Sequence, residues 1–308
     1  MGTSGGSSVF AFVIDIIASG HRVAWGELGA ADLLRPTVLS VGKGQMQGGG
    51  GMSGYRQLFL PGRLEATWGR FLPTAADVAP SVAEFVIQCA TAAVRARGHF
   101  TLGVSGGTTP LALFALLARS EWAQRLPWTQ MSVFWVDERW VPYTHESSNF
   151  GQFSRCFVDR AAQLPACWYP MPVQGSCPAA DALAYANALA LFFGAQTVPV
   201  FDCFLLGLGS DGHTASLFPH SPVLKCQESW VAAIDSPPAG VDPALPRLSL
   251  TLPVLNAARN VAFLVSGAQK ADVTATVLQS FPTPSLPATF VRPQGTLYWF
   301  LAEIPVQG

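Results

Sequence analysis

Two rhythms divide this chain. From Leu72 onward, short apolar runs alternate with stretches whose apolar residues recur every third or fourth position. These are the signatures of buried strands and amphipathic helices. Val82, Phe85, Val86, Cys89, Ala93 and Val94 share one helical face, which predicts a helix over 80–97 closed by Gly98. Residues 100–104 and 133–136 read as short strands. Phe201, Phe204, Leu205, Leu206 and Leu208 give a strand apolar on both faces. Further strands are expected near 230–234, 247–251, 261–265 and 296–301. Helices are expected from the 105–110 turn through Ala118, near 148–164, and over 178–193 and 268–280. Strands alternating with helices predict an α/β fold, a mostly parallel sheet with helices on both faces.

Residues 1–70 break this regularity. The Gly/Ser-rich start and the glycine-rich 42–54 read as flexible linker, with room for a short helix within 9–35. The expected organisation is a loosely ordered N-terminal extension over 1–70 and one α/β domain over 71–308.

Composition narrows the class of partner. With 308 residues, 50% of them hydrophobic, the chain can bury one large core or two moderate ones. Charged residues make up 12% and the formal net charge is −1, so no basic field is available to hold nucleic acid. No segment reaches the ~20 apolar residues of a membrane span. The apolar run over 9–18 is broken by Asp15 and lacks a basic lead, and the myristoylation pattern fails at Gly6. Neither nucleic acid nor membrane is expected as a partner, and the expected location is cytoplasmic. The six cysteines show no metal-ligand spacing. Cys89 and Cys203 fall in apolar patterns and read as small core residues, which suits a reducing compartment.

Four short segments carry candidate chemistry. After the 201–208 strand come Gly207, Gly209, Ser210, Asp211 and Gly212, then His213. Residues 213–218 read as a short helix halted by Pro219. That places an imidazole at the carboxyl end of a strand and the amino end of a helix, where the dipole favours the neutral base. The competing reading is a glycine-rich turn with a surface histidine. Ser105, Gly106, Gly107, Thr108, Thr109 and Pro110 stand between a strand and a helix: either a phosphate cradle of N–H and hydroxyl donors or an ordinary tight turn. Asp137, Glu138 and Arg139 follow a strand. Arg139 is placed to fork onto phosphate oxygens or to form a surface ion pair. Ser147, Ser148 and Asn149 suit a helix cap or hydrogen bonds to sugar hydroxyls. Lysine occurs only at Lys43, Lys225 and Lys270. Lys270 lies in a first helical turn, where it reads as a phosphate contact or a solvated side chain. His21, His99, His145 and His220 read as surface or turn residues.

These segments in this order resemble the 6-phosphogluconolactonase family. The resemblance rests on SGGTTP at 105–110, VDERWVPYTHESSNFG at 136–151, FDCFLLGLGSDGHTASLFP at 201–219, RLSLTLPVLNAARNVAFLVSGAQK at 247–270 and PATFVRPQGTLYWFL at 287–301. It runs from about residue 72 to 302. It implies a Rossmann-like sheet shared with glucosamine-6-phosphate deaminases, and hydrolysis of 6-phospho-D-glucono-1,5-lactone without metal or organic cofactor. It implies His213 as general base and Ser105, Gly106, Gly107, Thr108, Arg139 and Lys270 as phosphate contacts, with Asn149 also toward substrate. Asp211 is placed to orient the imidazole or the water. N–H groups of the 207–212 turn, or nearby donors, are expected to hold the oxyanion. The expected partner is a small sugar-phosphate lactone, bound by a monomer. Two other functions share the pattern. A deaminase-like isomerase continues its DGH turn with Ala-Phe-Asn-Glu-Pro where this chain has Thr-Ala-Ser-Leu-Phe-Pro. A non-catalytic sugar-phosphate binder is the second.

Overall fold

The computed structural model describes residues 54–58, 60–63, 66–194 and 197–304. The helix expected within 9–35, and all but the last residue of the glycine-rich 42–54, lie outside them. Eight strands form the main sheet, in the order β1 (Arg56–Leu58), β2 (Thr67–Leu72), β11 (Thr296–Ala302), β10 (Asn260–Ser266), β7 (Cys203–Gly207), β3 (Phe100–Val104), β4 (Met131–Trp135) and β6 (Cys167–Tyr169). Every pairing is parallel except the β1–β2 edge. Strands β3 and β4 are buried at every position, and β7 and β10 nearly so. A sheet covered on both faces demands this, and it is why these strands read as largely apolar runs.

Helix α1 (Val78–Arg97) packs on β3, β11 and α2 (Thr108–Leu117). It stops at Gly98, whose φ of 77° places it in the left-handed region glycine adopts readily. Together with the turn before it, α1 is long and apolar enough to cross a bilayer, but half of that stretch is buried in the fold as a core helix is. Short α3 (Ser120–Ala123) follows α2, and α4 (Asn149–Phe153) runs into a π-helical turn ending at Val158. The helix expected near 148–164 therefore stops well before residue 164. Helix α5 (Pro178–Phe193) matches its expected span, while α6 (Leu252–Ala257) was not legible. The helix over 268–280 is a 3-10 turn, Ala268–Lys270, followed by α7 (Ala271–Gln279).

Three features depart from the sequence reading. A second sheet, β5 (Asp137–Arg139), β9 (Arg247–Leu250) and β8 (Val231–Ile234), is antiparallel throughout. The boundary at residue 70 cuts through β2, which pairs along its whole length with β11. The α/β domain therefore begins before residue 71. Tyr55 also belongs to it, packing edge-on against Tyr298 and Phe300. His99 lies in the turn between α1 and β3, but it is half-buried there and bonded through Nε2 to Ser132 Oγ at 3.0 Å.

The strand order positions the site. From β3 the chain runs outward through β4 to β6, then returns to β7 on the other side of β3 and runs the opposite way through β10 to β11. The direction reverses between β3 and β7. The crevice beyond the carboxyl ends of two such strands is where open α/β sheets take ligands.

Candidate active site

A cleft of about 240 Å³ opens at that reversal, lined by the turns that follow β3, β7 and β10 and by residues of β5 and β9. After β3, Ser105 N–H donates to Leu205 O at 3.2 Å and ties the turn to β7. Gly107, at φ 110°, is the N-cap of α2, and no side chain caps that helix. Residues 105–110 all line the cleft, so the uncapped N–H groups of the turn are available to an anion. Gly106 packs directly on Asn149, and a Cβ there would strike Asn149 Oδ1. Only glycine lets these two walls approach.

The turn after β7 corrects the local structure expected for 213–218. It is not a helix. An antiparallel bridge joins Thr214 to Leu217, and Ala215 has φ 51°. The argument from a helix dipole at His213 therefore falls away. What holds the imidazole is Asp211, whose Oδ1 lies 2.5 Å from His213 Nδ1 and also accepts the His213 backbone N–H at 3.1 Å. Burial acts to raise the Asp211 carboxyl, but the hydrogen bond and charge of His213 outweigh it and hold the group below its ordinary value. With Nδ1 engaged, Nε2 is the ring nitrogen left for chemistry at the cleft. Asp211 stands behind the ring and is not part of the cleft wall. Gly209 sits so close to the imidazole that a Cβ would collide with it. Within this turn Gly209 N–H donates to His213 O and Gly212 N–H to Gly209 O. With the His213 N–H also engaged, these groups are closed to an oxyanion, which narrows the expectation for the 207–212 turn.

Ser216, fully buried, joins this turn to the second sheet: its Oγ donates to Asp137 Oδ2 at 2.9 Å. On that sheet Arg139 and Arg247 are directly opposed in the β5–β9 register. Like charges placed opposite each other are unfavourable unless an anion shares the site. Arg247 is 4% exposed. Burial, then the charge of Arg139, push its guanidinium below the ordinary value, with Asp137 and Glu138 acting against them. Among the described residues each guanidinium makes one hydrogen bond, Arg139 Nη1 to Ser147 O at 2.8 Å and Arg247 Nη2 to Pro243 O at 3.0 Å. Lys270 reaches the cleft from beyond β10, and burial alone lowers its ammonium below the ordinary value. No carboxylate is paired with it among the described residues. Ser105 Oγ, Arg139 Nε, Asn149 Oδ1 and Arg247 Nε are buried without a hydrogen-bond partner. Orphaned polar atoms of this kind call for a ligand.

Ser105, Gly106, Gly107, Thr108, Arg139, Asn149, His213 and Lys270 thus converge on one cleft, with Asp211 directly behind His213. Arg247 and Asp137 also line it, and the sequence pattern assigns neither a role of its own. Arg247 stands in an apolar strand pattern that carries no local sign of chemistry, and its opposition to Arg139 is a matter of strand pairing. Among the described residues, no three His, Cys, Asp or Glu side chains converge as a metal site.

A covered parallel sheet with a cation-lined crevice and a carboxylate-held histidine at its switch point defines a small-molecule enzyme that takes an anionic substrate. The family model described as glucosamine-6-phosphate isomerases/6-phosphogluconolactonase matches residues 73–299, and the chain belongs to that family. A 6-phosphogluconolactonase of Synechocystis is 41% identical over 216 residues, covering 69% of this chain and 86% of the relative. The human 6-phosphogluconolactonase is 38% identical over 243 residues, covering 74% and 88%. Among solved structures, a 6-phosphogluconolactonase from Thermotoga maritima aligns with TM-score 0.65 at 27% identity, over 77% of this chain and 99% of that one. A monomeric glucosamine-6-phosphate deaminase, at 15% identity and TM-score 0.63 over 76% and 97%, shares the fold.

Proposed function

We propose that this protein is a 6-phosphogluconolactonase in which His213 activates the attacking water. It hydrolyses 6-phospho-D-glucono-1,5-lactone to 6-phospho-D-gluconate, the second step of the oxidative pentose phosphate pathway. The observation that carries the mechanism is the Asp211–His213 pair on a cleft whose other walls bring Arg139, Arg247 and Lys270 together. The neutral ring takes a proton from water at Nε2 while the water oxygen attacks the lactone carbonyl, and Asp211 steadies the resulting imidazolium. That proton then passes to the ring oxygen as the carbon–oxygen bond breaks, and the base is restored. Lys270, Arg139 and the N–H groups at the start of α2 grip the phosphate. Its binding energy holds the lactone in line with the water. Arg247, whose Nε is unpartnered, joins that anion grip, and the orphaned Asn149 Oδ1 accepts a sugar hydroxyl.

Every residue in this account comes from a single copy of the chain, so a monomer suffices for activity. The six free cysteines fit a reducing, cytoplasmic setting. The test is a lactonase assay, corrected for spontaneous hydrolysis, on the wild type and on His213→Asn. Asn preserves polarity and approximate size but cannot cycle a proton near neutral pH. Loss of a general base costs ~10²–10⁴-fold in rate. A folded His213→Asn protein with wild-type turnover would remove His213 from the mechanism. A wild type that binds the sugar phosphate without hydrolysis would leave only a binding role.

A further inference from the structure

Glu138 lies between two cleft residues yet does not itself line the cleft, and it is fully buried. Among the described residues it makes no ion pair. It accepts four hydrogen bonds instead. Oε1 accepts from Arg139 N–H at 2.7 Å and Asn149 N–H at 2.7 Å, and Oε2 from Phe150 N–H at 2.8 Å and Ser148 Oγ at 3.1 Å. All four donors belong to β5 or to the N-cap and first turn of α4. Two supports act alongside it: Arg139 Nη1 on Ser147 O, and Asn149 Nδ2 on Asp137 O at 2.8 Å. A buried carboxylate with no cation in ion-pair contact is costly to keep. A Ser, Thr or Asn cap would have closed the start of α4 at lower cost, and Ser148 already caps it by accepting Gly151 N–H at 3.0 Å. What the carboxylate adds is a simultaneous hold on the backbones of Arg139 and Asn149.

We infer that Glu138 is a positioning residue that fixes Arg139 and Asn149 against each other, and thereby sets the anion grip of the cleft without touching the substrate. This rests on the functional reading above. The base stands on the separate 207–217 turn, which has no hydrogen bond to Glu138, so the hydrolytic step itself is left intact when the clasp loosens. A role confined to stability would impair every substrate alike.

The experiment compares wild type, Glu138→Gln and Ser148→Ala on two substrates, 6-phospho-D-glucono-1,5-lactone and unphosphorylated D-glucono-1,5-lactone. Thermal melts are recorded with and without inorganic phosphate. In Glu138→Gln the amide N–H₂ must face a backbone N–H, which removes at least one charge-assisted bond. The expected result is a fall of about tenfold in kcat/KM on the phosphorylated lactone, the loss of one such bond. It is carried by KM, with a smaller loss on the unphosphorylated lactone, whose sugar still uses Asn149, and a smaller phosphate-induced rise in Tm. Ser148→Ala, which removes one neutral donor to Glu138 together with the cap on Gly151 N–H, should move the same quantities less far. Equal losses on both lactones, or full discrimination and a full phosphate shift in the folded variants, would overturn the inference. If Glu138→Gln does not fold, Ser148→Ala decides by the same criteria. Failure of the wild type to hydrolyse the phosphorylated lactone would count against the functional reading, while the phosphate melts would still judge Glu138.

Discussion

Replacing Arg247 with Met should separate binding from stability, because the arginine pair is strained in the free protein. Met keeps the apolar stem of the side chain and removes the charge. The two guanidinium groups sit on directly opposed residues. Two like charges about 8 Å apart repel by about 2 kcal/mol at an effective dielectric near 20, a repulsion that Asp137 and Glu138 reduce here. Against that relief stand the lost hydrogen bond to Pro243 O, about 1 kcal/mol, and the lost contact with the Phe218 ring, about 0.5–1 kcal/mol; in the native protein the Arg247 guanidinium carbon lies 5.6 Å from that ring's centroid. The terms nearly cancel, so the ligand-free Tm should change by no more than about 2–4 °C. With substrate present, the missing partner is a charge-assisted bond worth about 1.5–3 kcal/mol, which is ~10–150-fold in kcat/KM on the phosphorylated lactone. The assay is a melt with and without inorganic phosphate, paired with lactone hydrolysis. A loss of many degrees in the free protein, with phosphate binding and activity retained, would show that Arg247 is a structural residue and that the pairing argument is wrong.

Three further outcomes follow from the same geometry. The Asp211 carboxyl is held below its ordinary value by His213, so its contact with the ring is fully present above the unfolded value of ~3.9 and is lost only as pH falls through the lowered folded one; an NMR titration of the Asp211 side-chain carbon with a midpoint above that value would contradict this. Gly106→Ala drives a Cβ into Asn149 and should cost about 1–3 kcal/mol in packing, read as a lower Tm together with a higher KM for the phosphorylated lactone; a silent substitution would mean the two walls are not in contact. Removing residues 1–53 should leave activity unchanged, since every cleft residue lies beyond Val104. Removing 1–66 strips β1, the Tyr55 ring contacts and the bonds of Arg63 to Pro293 O and Gly295 O and should lower Tm by several degrees; equal melts for the two truncations would show that this edge does not stabilise the sheet.

What the sequence determined is what local physics determines. A strand buried on both faces is largely apolar along its length, so β3 and β7 were legible, and the glycines after them marked the turns that shape the cleft. His213 followed from its place after such a strand, and Lys270 from its place in a turn ahead of a helix. Tertiary structure decided the rest, through contacts between residues far apart in the chain. The 213–218 segment reads as helical, but Ser216 is drawn to Asp137 and Thr214 bridges to Leu217, and these contacts outweigh a weak local preference. Strand β2, short and interrupted by Gly69 and Arg70, gains its place from the parallel ladder with β11. Arg247 is an unremarkable cation in its own strand, and it becomes part of an anion site because antiparallel pairing sets it opposite Arg139. Sequence patterns report burial and turn chemistry, which are local. The electrostatics of the cleft arise from which strands lie side by side, and only the fold specifies that.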